Sequence, residues 1–122
     1  MAKKVKGFKT KDSGKRVTFD TGMNRDVSDD KIRYDLVIPL GVKEHMLKRW
    51  AELMTRGAKK YGERNWEKAQ TVKELERFME SAFRHFMQWY SGDTDEDHAA
   101  AVMFNIQGAE MVGTRMQSKK KI

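Results

Sequence analysis

Three short stretches of this chain carry side chains that packing alone does not call for. The first is GAKKYGERNW, Gly57 to Trp66, where two glycines, three bases, Tyr61, Asn65 and Trp66 fall within ten residues. Gly62 permits a left-handed turn there. Around such a turn Lys60 is suited to a phosphate and the aromatics to a ring; equally, the stretch is a helix end whose Tyr61 and Trp66 plug the edge of a core. The second is Glu76, Glu80, Arg84 and His85. Its i,i+4 spacings fit a solvated, salt-bridged face. They also fit a carboxylate, Glu80, holding a hard cation while Arg84 meets an anionic oxygen. The third is DTDEDH, Asp93 to His98, with Asn105 seven residues further on. Carboxylates complement a helix N-terminus. Beside a phosphate-binding loop they are also what magnesium needs, since it takes oxygen ligands and bridges carboxylates to substrate phosphates.

The elements that must position these groups are helices. Val42, Met46, Trp50, Leu53 and Gly57 recur at helical spacing and predict a helix over 42–60. Gly57 and Ala58 either admit a neighbouring backbone or mark the helix end. Thr71 and Glu74 form a T-x-x-E capping box that opens a second helix, ending near Ser91-Gly92. Leu75, Phe78, Met79, Ala82, Phe83, Phe86, Trp89 and Tyr90 make its broad apolar face, with His85 at the edge. Thr94 and Asp97 make a similar pair before a third helix reaching about 112. Ala99 to Phe104 and Ile106 surround that helix with apolar side chains, which predicts burial in the domain or against another subunit. His98 and Asn105 share one of its faces. The only proline, Pro39, ends the short extended run YDLVI. The expected fold is therefore all-α: a compact array of three main helices with an irregular N-terminal segment. Three helices give a thin core, so a homo-oligomer is expected, joined through the second and third helices.

The chain has 122 residues, enough for one domain, and carries a net charge of +7. That basicity sits at the ends. Residues 1–16 and the last residues hold ten bases against Asp12, whereas residues 17–118 are net −2. We read 1–18 as a basic flexible arm, 19–113 as the single domain and 114–122 as a basic tail. Such ends support weak, salt-sensitive nucleic-acid contact. With no cysteine there is neither a disulfide framework nor a thiolate metal site. No apolar run is long enough to span a membrane, and the basic N-terminus lacks the apolar stretch of a secretory signal. A cytoplasmic protein is the expectation.

Taken together and in order, TGMNRD, DKIRYDLVIPL, GAKKYGERNW, SAFRHF and GDTDEDHAAAVMFN resemble the dATP/dGTP diphosphohydrolase family of phage and bacterial genomes, related in style to the MazG-like all-α nucleotide pyrophosphohydrolases. The matching positions are Gly22, Arg25 and Asp26; Lys31, Arg33 and Asp35; Gly57, Ala58, Lys60, Tyr61, Gly62, Asn65 and Trp66; Arg84 and His85; His98 and Asn105. The chain departs from the family pattern in a short acidic link before the last helix and in Ala101, which replaces a second histidine. The acidic repeat of MazG proteins is also absent.

The resemblance implies hydrolysis of a purine deoxynucleoside triphosphate, dATP or dGTP, to the monophosphate and pyrophosphate, in the host cytoplasm if the chain is phage-encoded. It implies a purine nucleotide in contact with Lys31, Arg33, Lys60, Tyr61, Asn65, Trp66, Arg84 and Asn105. Lys60, Lys31, Arg25, Arg33 and Arg84 would meet phosphate, Asn65 the base or sugar, and Tyr61 or Trp66 the ring. It implies Mg2+ or Mn2+ held by Glu80 and Asp97, with Glu76 and Glu96 behind them. Glu80, His85 and His98 are the catalytic candidates, the histidines as base, as ligand or as satisfied polar residues. Two rival readings stand beside this one: a nucleotide-binding protein without hydrolysis, and a small nucleic-acid accessory protein acting through its basic ends.

Overall fold

The computed structural model describes residues 7–28 and 30–120. Lys3, Lys4, Lys6 and Lys121 of the basic ends lie outside them. The chain divides into two compact units, residues 1–34 and 35–122.

The first unit is built on a small hairpin. Strand β1, Arg16–Thr18, pairs antiparallel with β2, Asn24–Asp26, with Arg16 opposite Asp26. Gly22 takes φ 87° in the connecting turn, where the Gly22 and Phe19 amides donate to Phe19 and Met23 carbonyls at 2.8 Å. Residues read as a flexible arm are held to this hairpin. Both the amide and the hydroxyl of Ser13 donate to the Asp26 carboxylate. The Arg16 guanidinium lies 2.8 Å from Asp12 and holds that carboxyl down at about 2. Sequence periodicity missed both strands because three residues each, none of them buried, give no apolar alternation.

YDLVI is not extended. Tyr34–Val37 closes as a 3-10 turn, since a run this short without a partner strand satisfies its amides locally. Helix α1, Met46–Tyr61, begins four residues later than its apolar period suggested. Gly41 at φ 78° and a turn from Val42 back to Pro39 keep the chain non-helical, and the His45 side chain accepts from the Lys48 amide as the N-cap. Gly62 at φ 97° ends the helix. Gly57 does not, and a Cβ added there would meet nothing within 4 Å. A 3-10 turn, Asn65–Lys68, leads to α2, Val72–Tyr90, which opens with the expected Thr71–Glu74 capping box. Helix α3, His98–Lys120, starts three residues later than the Thr94 cap implied and runs further. Asp97 is its cap in place of Thr94: its carboxylate accepts from the Ala100 amide at 3.1 Å and its carbonyl from Ala101. Backbone helix continues through most of the stretch read as a basic tail.

α2 and α3 form the main packing pair and run antiparallel, with Phe78 against Gly108 and Phe104, and His85 against His98. α1 packs on α3 with Arg49 beside Asp97 at one end, while the turn after α1 meets Phe104 through Trp66. Arg115 of α3 fixes that turn by donating to the Glu67 and Ala69 carbonyls. The core is small: Ala69, Ala100, Ala101 and Val112 are its buried apolar residues. The aromatic face of α2 is not part of it. Phe83 is 68% exposed and Tyr90 75%, and Met79, Phe86 and Trp89 are also exposed. Among the described residues no helix is long and apolar enough to cross a membrane.

Candidate functional site

A cleft of about 1330 Å³ opens between α1, the turn after it, and the α2–α3 pair. The helical unit supplies its whole lining. Tyr61, Asn65 and Trp66 stand at one end, where Trp66 meets the Phe104 ring edge-on at 5.8 Å and Phe104 meets Phe78 at 5.9 Å. Lys60 also lines this end, its ammonium 5.0 Å from the Tyr61 ring centroid. Gly57 and Ala58 contribute wall without bulk, which leaves the cleft wide there.

The opposite end is acidic and carries histidine. Leu53, Arg56, Glu96 and Ala101 are shared with an adjoining pocket of about 610 Å³, which Thr94, Asp95 and Asp97 complete. His85 lines the cleft, and behind it lies His98, 2% exposed. The two Nδ1 atoms are 2.8 Å apart, and His98 Nε2 lies 2.7 Å from Asp95 Oδ1. These contacts constrain the protons. An ionised carboxylate only accepts, so His98 Nε2 carries a hydrogen. With His98 neutral, its Nδ1 accepts and His85 Nδ1 donates, which leaves the lone pair on His85 Nε2. A proton taken up at Nε2 is matched by transfer of the Nδ1 proton to His98, beside Asp95. Burial, aided by the Arg84 guanidinium, pushes the His85 imidazole below the usual histidine range, with Glu96 opposing. The hydrogen bond to His98 holds the Asp95 carboxyl down.

The structure thus brings Lys60, Tyr61, Asn65, Trp66, His85, Glu96 and Asn105 to one cleft. It places the other sequence candidates elsewhere. Glu76, Glu80 and Arg84 are exposed on α2 outside the lining, because the cleft-facing turn positions of that helix are Glu74, Arg77, Phe78, Ser81 and His85. Asp97 gives both carboxylate oxygens to Arg49, at 2.9 Å from Nε and 2.7 Å from Nη2, so that guanidinium holds its carboxyl low. Arg25, Lys31 and Arg33 belong to the N-terminal unit. His98 acts behind His85 and does not line the cleft itself.

Asp95 lay within the DTDEDH stretch without being named by itself, and Ser81, Arg56 and Arg49 were not singled out from sequence. Asp95 and Ser81 sit at i,i+3 and i,i+4 from the histidines, a signal that was present. Arg56 stands at the acidic end where Lys60 had been expected to serve phosphate. Arg49 left no local trace, because its partner is 48 residues away.

For a divalent cation, the donor chemistry at this end is suitable. The Asp93 and Asp95 carboxylates lie within 4.8 Å of each other and of a His98 ring nitrogen, and Glu96 adds an exposed carboxylate on the cleft wall; with both His98 nitrogens engaged by His85 and Asp95, the carboxylates are the donors on offer. An oxygen-rich set of this kind fits Mg2+ or Mn2+.

No curated protein and no solved structure matches the chain. A family model described as dATP/dGTP diphosphohydrolase, N-terminal, matches residues 21–120, from the hairpin turn to the last turn of α3. That span includes every element that builds the cleft, and the chain belongs to this dATP/dGTP diphosphohydrolase family.

Proposed function

We propose that the cleft takes a purine deoxynucleoside triphosphate and that the chain, with a divalent cation, hydrolyses it to the monophosphate and pyrophosphate. The observation that carries this reading is the polarity of the cleft: an aromatic end at Trp66, Phe104 and Phe78, and a charged end at Arg56, Glu96 and His85. The base belongs at the first and the phosphates at the second.

Water attacks the α-phosphorus, the bond to the bridging oxygen breaks, and pyrophosphate leaves. His85 Nε2 takes the water proton as general base, and the chain through His98 to Asp95 stabilises the resulting charge. Arg56 neutralises phosphate oxygens. Glu96 is the carboxylate we put forward for the cation, which when bound supplies further neutralisation of phosphate charge. Trp66 and Phe104 wall the ring, and Asn65 reaches the nucleoside from the turn.

A second reading, binding without hydrolysis, draws on the positions of Glu76, Glu80 and Asp97: three of the four carboxylates read as ligands are outside the cleft or engaged by Arg49. Turnover of dATP and dGTP with Mg2+ or Mn2+, scored for monophosphate and pyrophosphate, separates the two. Affinity without product supports the second reading.

A further inference from the structure

α3 buries one amide that the fold does not use up. Asn105 is 7% exposed and lies on the cleft wall. Its Nδ2 donates to the Ala101 carbonyl at 2.8 Å, within the helix. This contact fixes which end of the amide is which, because a carbonyl oxygen accepts only from the NH2 group. Oδ1 and the second Nδ2 hydrogen have no protein partner among the described residues. Asparagine is also a poor helix former in a helix interior, so helix packing alone does not call for it on this wall.

The surroundings say what the oxygen faces. Phe104, Trp66 and Phe78 line the same cleft, and Ser81, 8% exposed, shares the wall. An amide oxygen is an acceptor. Phosphate oxygens are acceptors too at neutral pH, so this oxygen does not serve the phosphates. It serves a group that carries N–H. Seven residues of helix, about 10 Å, separate it from His98, the residue that backs His85. That spacing leaves room for a nucleoside to lie along α3 with its base at Asn105 and its α-phosphate at His85.

We propose that Asn105 reads the nucleobase: its Oδ1 accepts from an N–H on the base edge, the 6-amino group of adenine or the N1–H and 2-amino group of guanine. This rests on the cleft holding a purine nucleotide, and it adds the atom that recognises the base and the direction in which the nucleotide lies. The aromatic rings accept any base by its face; Asn105 demands a donor on its edge.

The test compares ligands on the intact wild-type protein by calorimetry. The ligands are α,β-methylene analogues, which are not cleaved, of dATP and of its counterpart without the 6-amino group, together with dGTP and its N1-methylated, 2-dimethylamino counterpart. Removing the donors is expected to weaken binding of the purine the protein accepts by about tenfold or more. In Asn105→Ala the difference between the paired ligands is expected to vanish. Equal affinity for donor-bearing and donor-free ligands in the wild type overturns the proposal and leaves the cleft reading intact. Absence of binding by any of the four overturns both. Should Asn105→Ala fail to fold, the wild-type comparison still decides.

Discussion

Gly108→Ala and Gly113→Ala place the same methyl group twice on α3, in opposite surroundings. At Gly108 the new Cβ would lie 2.5, 2.6 and 2.7 Å from three ring carbons of Phe78; at Gly113 it would meet nothing within 4 Å. Carbon atoms rest comfortably about 3.5–4.0 Å apart, so the Phe78 ring must withdraw by about 1 Å. Overpacking of this kind costs about 1–3 kcal/mol. Alanine returns about 1 kcal/mol over glycine within a helix, and it does so at both positions. Gly113→Ala is therefore expected to stabilise the protein slightly. Gly108→Ala should be less stable than Gly113→Ala by the steric cost alone, about 1–3 kcal/mol. Urea unfolding of the two variants measures the gap directly, with unchanged slopes showing that only stability has moved. Because Phe78 packs on Phe104 and Phe104 on Trp66, Gly108→Ala should also weaken nucleotide binding, although residue 108 is not on the cleft wall. Equal stability of the two variants would refute the close α2–α3 approach on which the cleft geometry depends.

Other expectations are as direct. Glu96→Gln should cut turnover by orders of magnitude, whereas Glu80→Gln, exposed and outside the cleft lining, should leave it within a fewfold; steady-state rates decide between them. Asp97→Asn should lower stability by about 1–3 kcal/mol through loss of the charge-assisted bonds to Arg49, read by thermal melting. His85 has a folded pKa below its ordinary 6.5. On acidification the unfolded chain therefore binds the proton first, and stability falls as pH drops below about 6.5. His85→Gln should flatten that part of the profile, leaving the acid loss due to Asp95 and Asp97, whose lowered pKa values make their contributions disappear only as pH falls through them. The exposed aromatic face of α2 predicts self-association, and Phe83→Glu should shift the sedimentation coefficient toward the monomer at micromolar concentration.

What the sequence made legible was local. The Thr71–Glu74 capping box named the start of α2 to the residue, because both partners lie within one turn. The GAKKYGERNW stretch was recognisable because its basic, amide and aromatic residues are contiguous, and the structure puts Lys60, Tyr61, Asn65 and Trp66 on one cleft. Long-range pairing was not legible. Asp97 looked like a metal ligand until Arg49 was found across the fold on both of its oxygens. Apolar periodicity marked one broad aromatic face on α2, expected to join subunits, but did not show that Ser81 and His85 are the buried positions of that helix. The reason is physical: the small residues of α3 let α2 approach closely along a strip that carries Ser81 and His85, where Phe78 finds room against Gly108. The same closeness brings His85 and His98 within hydrogen-bond distance, a contact that no spacing rule predicts.

The measurement that bears most directly on the central claim is product analysis of dATP and dGTP incubated with the protein and Mg2+ or Mn2+, for the wild type and for His85→Gln. The account predicts monophosphate and pyrophosphate in equal amounts from the wild type, and a rate lower by about 10²–10⁴-fold, the usual worth of a general base, in a His85→Gln protein that still binds nucleotide. Release of nucleoside diphosphate and orthophosphate, or full activity in His85→Gln, would contradict it.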